Sequence, residues 1–437
     1  MEVIIIGAGL AGSEAALQLA KRNIKVKLYE MRPQKTTGAH VTENCAEFVC
    51  SNSLGSADIT TASGLLKAEM QELGGELIKI AYECRVPAGN ALAIDRVGFS
   101  KKVTELIENN ENIEFIREEL KEIPSDKPVI IASGPLTSDD LANKIQEFTK
   151  SEHLHFFDAI APIVEKDSIN FDIAFWASRY DKGEASYINC PMDKEQYTRF
   201  YEILTNAERI ELKEFEKDAK FFESCLPVEV LASRGVDTLR FGPMKPVGLI
   251  DKRTGVENWA VVQLRQDNAA KSLFNLVGFQ TNLKWGAQKE LIHSIPGLEN
   301  ANIVRYGVMH RNTFINSPQV LNATLNTRKR ENLFFAGQIT GVEGYTESIA
   351  TGLLAGLNIA RQLEGKELIE LPQETMLGAL CNYISSSELK HFQPMNSNWA
   401  VVSPIELPKK ERKNKKLKNE LLSKRSIEVL RGYLCSI

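Results

Sequence analysis

Apolar and polar positions follow two rhythms along this chain, and the sharpest stretch comes first. Val3-Ile4-Ile5-Ile6 is a β-branched run without a polar break, the pattern of a strand buried on both faces. Gly7-Ala8-Gly9-Leu10-Ala11-Gly12 follows at once. Ser13 to Lys21 is rich in helix formers, and Ile24 to Tyr29 predicts a second strand with Glu30 at its tip. The same rhythm returns far downstream. Asn332 to Ala336 predicts a strand, a loop with Gly337, Gly341 and Gly344 follows, and Ser348 to Leu363 predicts a helix of small residues. Pro128 to Pro135 reads as one more strand running into a turn. In between, aromatic and β-branched strands (Phe175–Trp176, Ala185–Asn189, Trp259–Leu264, Leu273–Phe279) alternate with charged helices at Tyr197–Asn206 and Ala287–His293.

Each part of the first unit has a physical task in holding a dinucleotide. Gly7 allows the tight turn, Gly9 lets backbone approach a pyrophosphate, and Gly12 lets helix and strand pack closely. The N–H groups of the helix start would hold the phosphates, and Glu30 is placed to accept hydrogen bonds from a ribose. A lone Gly-x-Gly-x-x-Gly is weak evidence; here strand, helix and acidic residue accompany it. The second strand–glycine loop–helix unit points to FAD, because flavoprotein domains are closed by returning C-terminal sequence. The expected fold is α/β, a Rossmann-like FAD-binding domain in two sequence segments with an inserted α+β domain. The expected boundaries are 1–145, 146–305 for the insertion, and 306–437 for the returning segment with its tail. No second Gly-x-Gly-x-x-Gly is present, so a nicotinamide donor would have to visit the flavin cleft itself.

Composition changes that picture in two places. With 437 residues, 43% of them apolar and 25% charged, the chain has room for two or three folded domains and is neither collagen-like nor disordered. The net charge of −4 hides a segregation: Lys409 to Lys418 carries +6, leaving −10 on everything else. Seven cysteines, an odd number with no Cys-x-x-Cys pair, argue against a disulfide scaffold or a structural zinc. With no apolar run of membrane-spanning length, the expected location is the reducing cytoplasm.

Long motifs then carry a resemblance across essentially the whole chain. They include Gly7 to Ala15, Tyr29-Glu30-Met31-Arg32-Pro33, Phe48-Val49-Cys50-Ser51-Asn52-Ser53-Leu54 and Val86-Pro87-Ala88-Gly89. They continue through Cys225-Leu226-Pro227-Val228-Glu229, Arg240-Phe241-Gly242-Pro243-Met244-Lys245-Pro246-Val247-Gly248-Leu249 and Gly278 to Gly286. Arg305 to Thr313 and Phe335 to Tyr345 complete the set, with Asn90 a small departure where glycine is more usual. The sequence resembles the folate- and FAD-dependent tRNA (uracil-5-)-methyltransferases of bacteria. The resemblance implies methyl transfer to carbon 5 of a T-loop uridine in tRNA. The carbon would come from 5,10-methylenetetrahydrofolate, the electrons from reduced FAD, and NADH or NADPH would refill the flavin. The same chemistry on a 23S rRNA uridine, or a small-molecule FAD oxidoreductase, are the alternatives. The related flavoprotein of the tRNA wobble uridine carries a long helical extension for which this length leaves no room.

Carbon 5 of uracil becomes nucleophilic only after a thiolate adds to carbon 6, and a second group must then remove the carbon 5 proton. A single cysteine is more often an inert small hydrophobe, so the assignments rest on the resemblance. It implies that Cys225 and Cys50 are both catalytic, with Cys225 as nucleophile and Cys50 as acid/base partner, a swap remaining open. His310 could stack on the pterin, with Lys284, Trp285 and Lys289 supplying charge and wall. Lys409, Lys410, Arg412, Lys413, Lys415, Lys416 and Lys418, with Lys424, Arg425 and Arg431 beyond, form a basic patch suited to the tRNA backbone. A merely solvated lysine face is the plainer reading of that run.

Overall fold

The structure, a computed structural model, describes residues 2–150, 154–159, 161–181, 183–210, 226–307, 309–389, 392–408 and 414–437, with backbone alone for 154–159 and 309–311. Its first sheet is parallel throughout, in the order Leu333–Phe335, Val129–Ile131, Glu2–Ile6, Lys25–Tyr29, Ile113–Ile116. The unbroken apolar run of Val3 to Ile6 lies at its centre and is buried, as a strand covered on both faces requires. Val129 pairs with Ile4 on one side and Leu333 on the other, so the returning strand shares a sheet with the first.

The helix Leu10–Ala20 buries every one of its residues. It can do so because the helix Tyr345–Leu363 crosses it with almost no side chain between. A Cβ added to Gly352 would stand 2.2 Å from the Ala11 carbonyl oxygen. Gly12 is equally constrained on the sheet side, where a Cβ would fall 1.8 Å from the Gly7 oxygen. The downstream helix starts at Tyr345, three residues earlier than the sequence pattern suggests.

A second sheet has six antiparallel strands in the order Phe175–Ala177, Tyr187–Met192, Ala260–Gln266, Leu273–Leu276, Ile163–Glu165, Ile303–Arg305. The strand expected over Leu273–Phe279 stops at Leu276, and Gly278 turns the chain with φ +77°. One face packs Ile188, Val262, Leu264 and Phe274 under the helices Lys194–Asn206 and Trp285–His293. The first of these begins at Lys194 because Asp193 and Gln196 form a capping box. From the other face, Arg265 Nε reaches Asn52 at 3.1 Å and the Tyr187 hydroxyl reaches the Ala88 carbonyl at 3.4 Å. Asn52 precedes the strand Ser53–Ser56 of a small three-stranded sheet, so this face of the second sheet looks toward the first domain.

The C-terminal helix Lys415–Ser436 docks through buried Leu422 and Leu430. Its Ser426 hydroxyl donates to Glu69 Oε1 at 2.5 Å. The same buried carboxylate accepts the Met376 and Leu377 N–H groups at 2.6 and 2.8 Å, at the start of the helix Met376–Ser386. Glu69 has no cation at ion-pair distance among the described residues, and burial pushes its carboxyl up to about 7.

Candidate cofactor and reaction site

A cleft opens beyond the carboxyl ends of the parallel strands, where an open α/β sheet binds its ligands. It encloses about 1000 Å³, part of it open to solvent. Gly7 and Gly9 floor it, with Gly134 and Gly337 on neighbouring loops. Gly7 takes φ +99°, which only glycine adopts freely, and an added Cβ there would strike the Ala132 oxygen at 2.6 Å. At Gly9 nothing lies within 4 Å of where a Cβ would be, and no side chain caps the helix that starts there. Bare helix N–H groups facing open space suit a pyrophosphate.

Glu30 lies on the same cleft. Its Oε2 accepts the Ala8 N–H at 3.0 Å, and its Oε1 accepts Arg32 N at 3.1 Å and Nε at 2.9 Å. Arg32 also reaches Glu47 at 3.2 Å and the Thr42 carbonyl at 3.0 Å, with all three charged side chains buried. Burial alone would raise the Glu30 carboxyl; the hydrogen bonds and charge of Arg32 outweigh it and hold it below the usual value. It therefore stays an acceptor, with lone pairs left for a ribose. These residues fit an FAD: glycine floor, helix N-terminus and carboxylate occur in the order the dinucleotide needs.

Cys50 stands at the edge of this cleft, between Val49 and Tyr345, which both line it. Its N–H donates to the Tyr345 hydroxyl at 2.6 Å, and that ring leans on Phe48. Three arginines surround the turn. Arg96 donates to the Phe48 carbonyl at 3.0 Å, to the Cys50 carbonyl at 3.4 Å and to Asp267 at 2.6 Å. Arg305 donates to the Ala39 and Val49 carbonyls at 3.0 and 2.9 Å. The Arg265 guanidinium interacts electrostatically with the Cys50 thiol. Among the described residues neither Arg265 nor Arg305 has a carboxylate in ion-pair contact. Burial, and the like charge of Arg96, hold both below the ordinary arginine value.

Four of the other cysteines lie in the opposite setting. Cys45 and Cys381 are buried and pushed up to about 12, and burial also raises Cys190 and Cys84.

The glucose inhibited division protein A signature matches residues 2–367. The methylenetetrahydrofolate--tRNA-(uracil-5-)-methyltransferase TrmFO of Anoxybacillus flavithermus is 58% identical over 434 residues, covering 99% of both chains. Its Brevibacillus brevis counterpart is 57% identical over 431 residues, covering 99% of this chain and 98% of its own. The chain belongs to this methyltransferase family. Two crystal forms of Aquifex aeolicus GidA share its fold, with TM-scores of 0.69 and 0.66 at 18% identity. They match 99% and 98% of this chain and 73% and 76% of their own.

Within this methyltransferase the residues expected from sequence divide four ways. Gly7, Gly9, Glu30 and Gly337 line one cleft, with Cys50 beside it. Gly12, Gly341 and Gly344 do not line it. Gly12 packs on Gly7; Gly341, at φ +85°, lies against Phe392, and Gly344, at φ +116°, against the Glu347 carboxylate. They shape the loops instead of touching the cleft. Lys284 stands apart from this cleft. It is the residue before the helix Trp285–His293, exposed, with its ammonium 3.0 Å from Glu208, and it is not among the cleft residues. Trp285 stacks on Tyr306 at 5.5 Å. Cys225, Lys409, Lys410, Arg412 and Lys413 lie outside the described residues, as does the His310 side chain. Lys415, Lys416 and Lys418 occupy the first turn of the C-terminal helix, where cations oppose the helix dipole.

Sequence reading missed the role of Arg32 and the three arginines around Cys50. One signal was present for Arg265: Gln263 and Arg265 alternate with Val262 and Leu264, the mark of a strand with one polar face.

Proposed function

We propose that this chain transfers the methylene of 5,10-methylenetetrahydrofolate to carbon 5 of a T-loop uridine in tRNA, where reduction completes the methyl group of 5-methyluridine. The observation that carries this reading is the position of Cys50, an arginine-ringed cysteine at the edge of an FAD-shaped cleft. Bound FAD supplies the two electrons that turn methylene into methyl. NADH or NADPH would return them to the flavin.

The chain's own residues do the rest. The Cys225 thiolate adds to carbon 6, and the electron pair of the 5,6 double bond moves toward oxygen 4. Carbon 5 then bonds to the methylene carbon as one of that carbon's two bonds to folate nitrogen breaks; the second would break when the two electrons and a proton reach that carbon, releasing tetrahydrofolate. Cys50 takes the carbon 5 proton as the ring re-forms and Cys225 leaves. Either cysteine could fill either role by chemistry alone; the nearness of Cys50 to the cleft favours it as the acid/base. His310 is assigned to the pterin face. Gly7, Gly9, Glu30 and Gly337 hold the FAD. Residues 1–145 and 306–437 form the FAD-binding domain, and 146–305 the insertion on the folate and RNA side. The lysines at the start of the C-terminal helix gain nothing from helix stability, which supports a role on the phosphate backbone. Such an enzyme works in the cytoplasm, with its tRNA; among the described residues no helix is long and apolar enough to cross a membrane.

The test is to incubate the FAD-loaded protein with methylene-labelled folate, NADPH and unmodified tRNA or 23S rRNA transcripts, then map the labelled base. Label at the T-loop uridine is expected. Replacing Cys50 or Cys225 by Ala should abolish labelling with FAD retained. Label only in rRNA, or full activity in both variants, would overturn the reading.

A further inference from the structure

Phe241 is 80% exposed, more than any other exposed large hydrophobic among the described residues. It ends the short helix Thr238–Phe241, whose core contact comes from buried Leu239, with buried Met244 just beyond. The fold holds this ring out firmly. Met244 N–H donates to the Leu239 carbonyl at 2.9 Å. Arg240 Nε donates to the Trp259 carbonyl at 3.0 Å, with the guanidinium 3.6 Å above the Trp259 ring. Folding gains nothing from an aromatic side chain fixed in water, and its large apolar face is available to a binding partner.

The neighbouring charge has a definite sign. Residues 234–253 hold five cations (Arg234, Arg240, Lys245, Lys252, Arg253) against Asp237 and Asp251, in a chain of net charge −4. Lys245 is exposed and makes no ion pair among the described residues. Tyr180, Val247 and Ile250 are exposed beside it, with Tyr180 N–H bonded to the Gly248 carbonyl at 2.8 Å.

The ribbon is also tied to the reaction site. Arg179 Nη2 donates to the Lys245 carbonyl and to Gln263 Oε1, both at 3.0 Å. Two positions along the same strand face, roughly 7 Å on, stands Arg265, which holds Asn52 beside the Cys50 turn. The Lys245 backbone is thus tied, through Arg179 and Gln263, to the sheet face that carries Arg265.

We infer that the Phe241 surface is an RNA-docking site, with Phe241 a stacking platform for an unpaired base and Lys245 a phosphate contact. This rests on the tRNA substrate proposed above. RNA meets the exposed ring with a π-face and the unpaired cation with a phosphate. A second copy of the chain would bring like charge to like charge.

Binding of an unmodified tRNA transcript to the FAD-loaded protein, followed by anisotropy over a salt series together with methyl transfer, tests this. Phe241→Ala should weaken binding and raise KM for tRNA on the order of 10-fold. FAD content and melting temperature should stay at the parent values, and Phe241→Trp should restore affinity. Lys245→Ala should reduce the slope of log affinity against log salt by about 0.7–0.9. Parental affinity and KM in Phe241→Ala would overturn the inference. So would a parental dimer that Phe241→Ala splits while RNA affinity holds. If the wild-type chain binds tRNA but labels no transcript, the methyl-transfer reading fails and the docking site is still decided by Phe241→Ala. If labelling is normal and Phe241→Ala indifferent, the docking site alone fails.

Discussion

Arg32 and Arg265 both flank the reaction cleft, and the fold treats their charges in opposite ways. Arg32 is buried between Glu30 and Glu47 and donates to both. Its charge is neutralised before any ligand arrives, and what it leaves behind is an ionised Glu30 aimed at a ribose. Arg265 donates to the Asn52 amide oxygen, has no carboxylate at ion-pair distance among the described residues, and interacts electrostatically with Tyr187, Asp267 and Cys50. That side of the cleft keeps positive potential in reserve. A site for a neutral sugar needs geometry, whereas a site that must ionise a thiol needs uncompensated charge. Glu69 completes the contrast: a buried carboxylate with backbone and hydroxyl donors but, among the described residues, no cation, raised where Glu30 is lowered.

The sharpest way to break that contrast is Arg32→Ala. Two buried carboxylates lose their cation, so stability should fall by about 3–5 kcal/mol in urea unfolding, with FAD content falling alongside. A variant as stable as the parent would mean that water already screens the cluster.

Glu30 and Glu69 should next show opposite pH signs. The Glu30 value is lowered by folding, so its contribution is present above about 4.5 and lost as pH drops through the lower folded value. The Glu69 value is raised, so its contribution is complete below about 4.5 and lost as pH rises through about 7. Across that window roughly 3 kcal/mol is at stake. Glu69→Gln should flatten the stability profile between pH 4.5 and 7; an unaltered slope there would assign it to another group.

Arg265→Ala should act on rate more than on stability. Methyl transfer should slow on the order of 10-fold, and its pH profile should move upward as Cys50 becomes harder to ionise. Arg265→Lys should recover part of both. An unshifted profile would separate Arg265 from the thiol. The smallest effect belongs to Lys284→Ala: an exposed pair with Glu208 is worth less than about 1 kcal/mol, and melting temperature should hardly move. A large rise in the KM for methylenetetrahydrofolate would return Lys284 to the folate site.

The FAD half of the site was legible because its code is local. Strand, Gly7, Gly9, helix and Glu30 fall within thirty residues, and a βαβ unit places them without outside help. The reaction half was legible only in part. Cys50 stood out through its motif, but nothing near it in sequence announces Arg265 or Arg305, which arrive from the second sheet. Lys284 shows the same limit. Beside Trp285 it looks like the wall of a folate site, and its neutralising partner Glu208 sits 76 residues earlier.

By itself, then, the sequence determined the two glycine-turn units, the parallel strands that carry them, and the separation of the basic tail from an acidic remainder. These depend on short-range sterics and residue order, which folding cannot change. Only the tertiary structure decided which arginine is neutralised, which carboxylate is pushed toward neutral pH, and that Phe241 stays in water. Burial and charge are sums over everything packed nearby, and most of those neighbours come from distant parts of the chain.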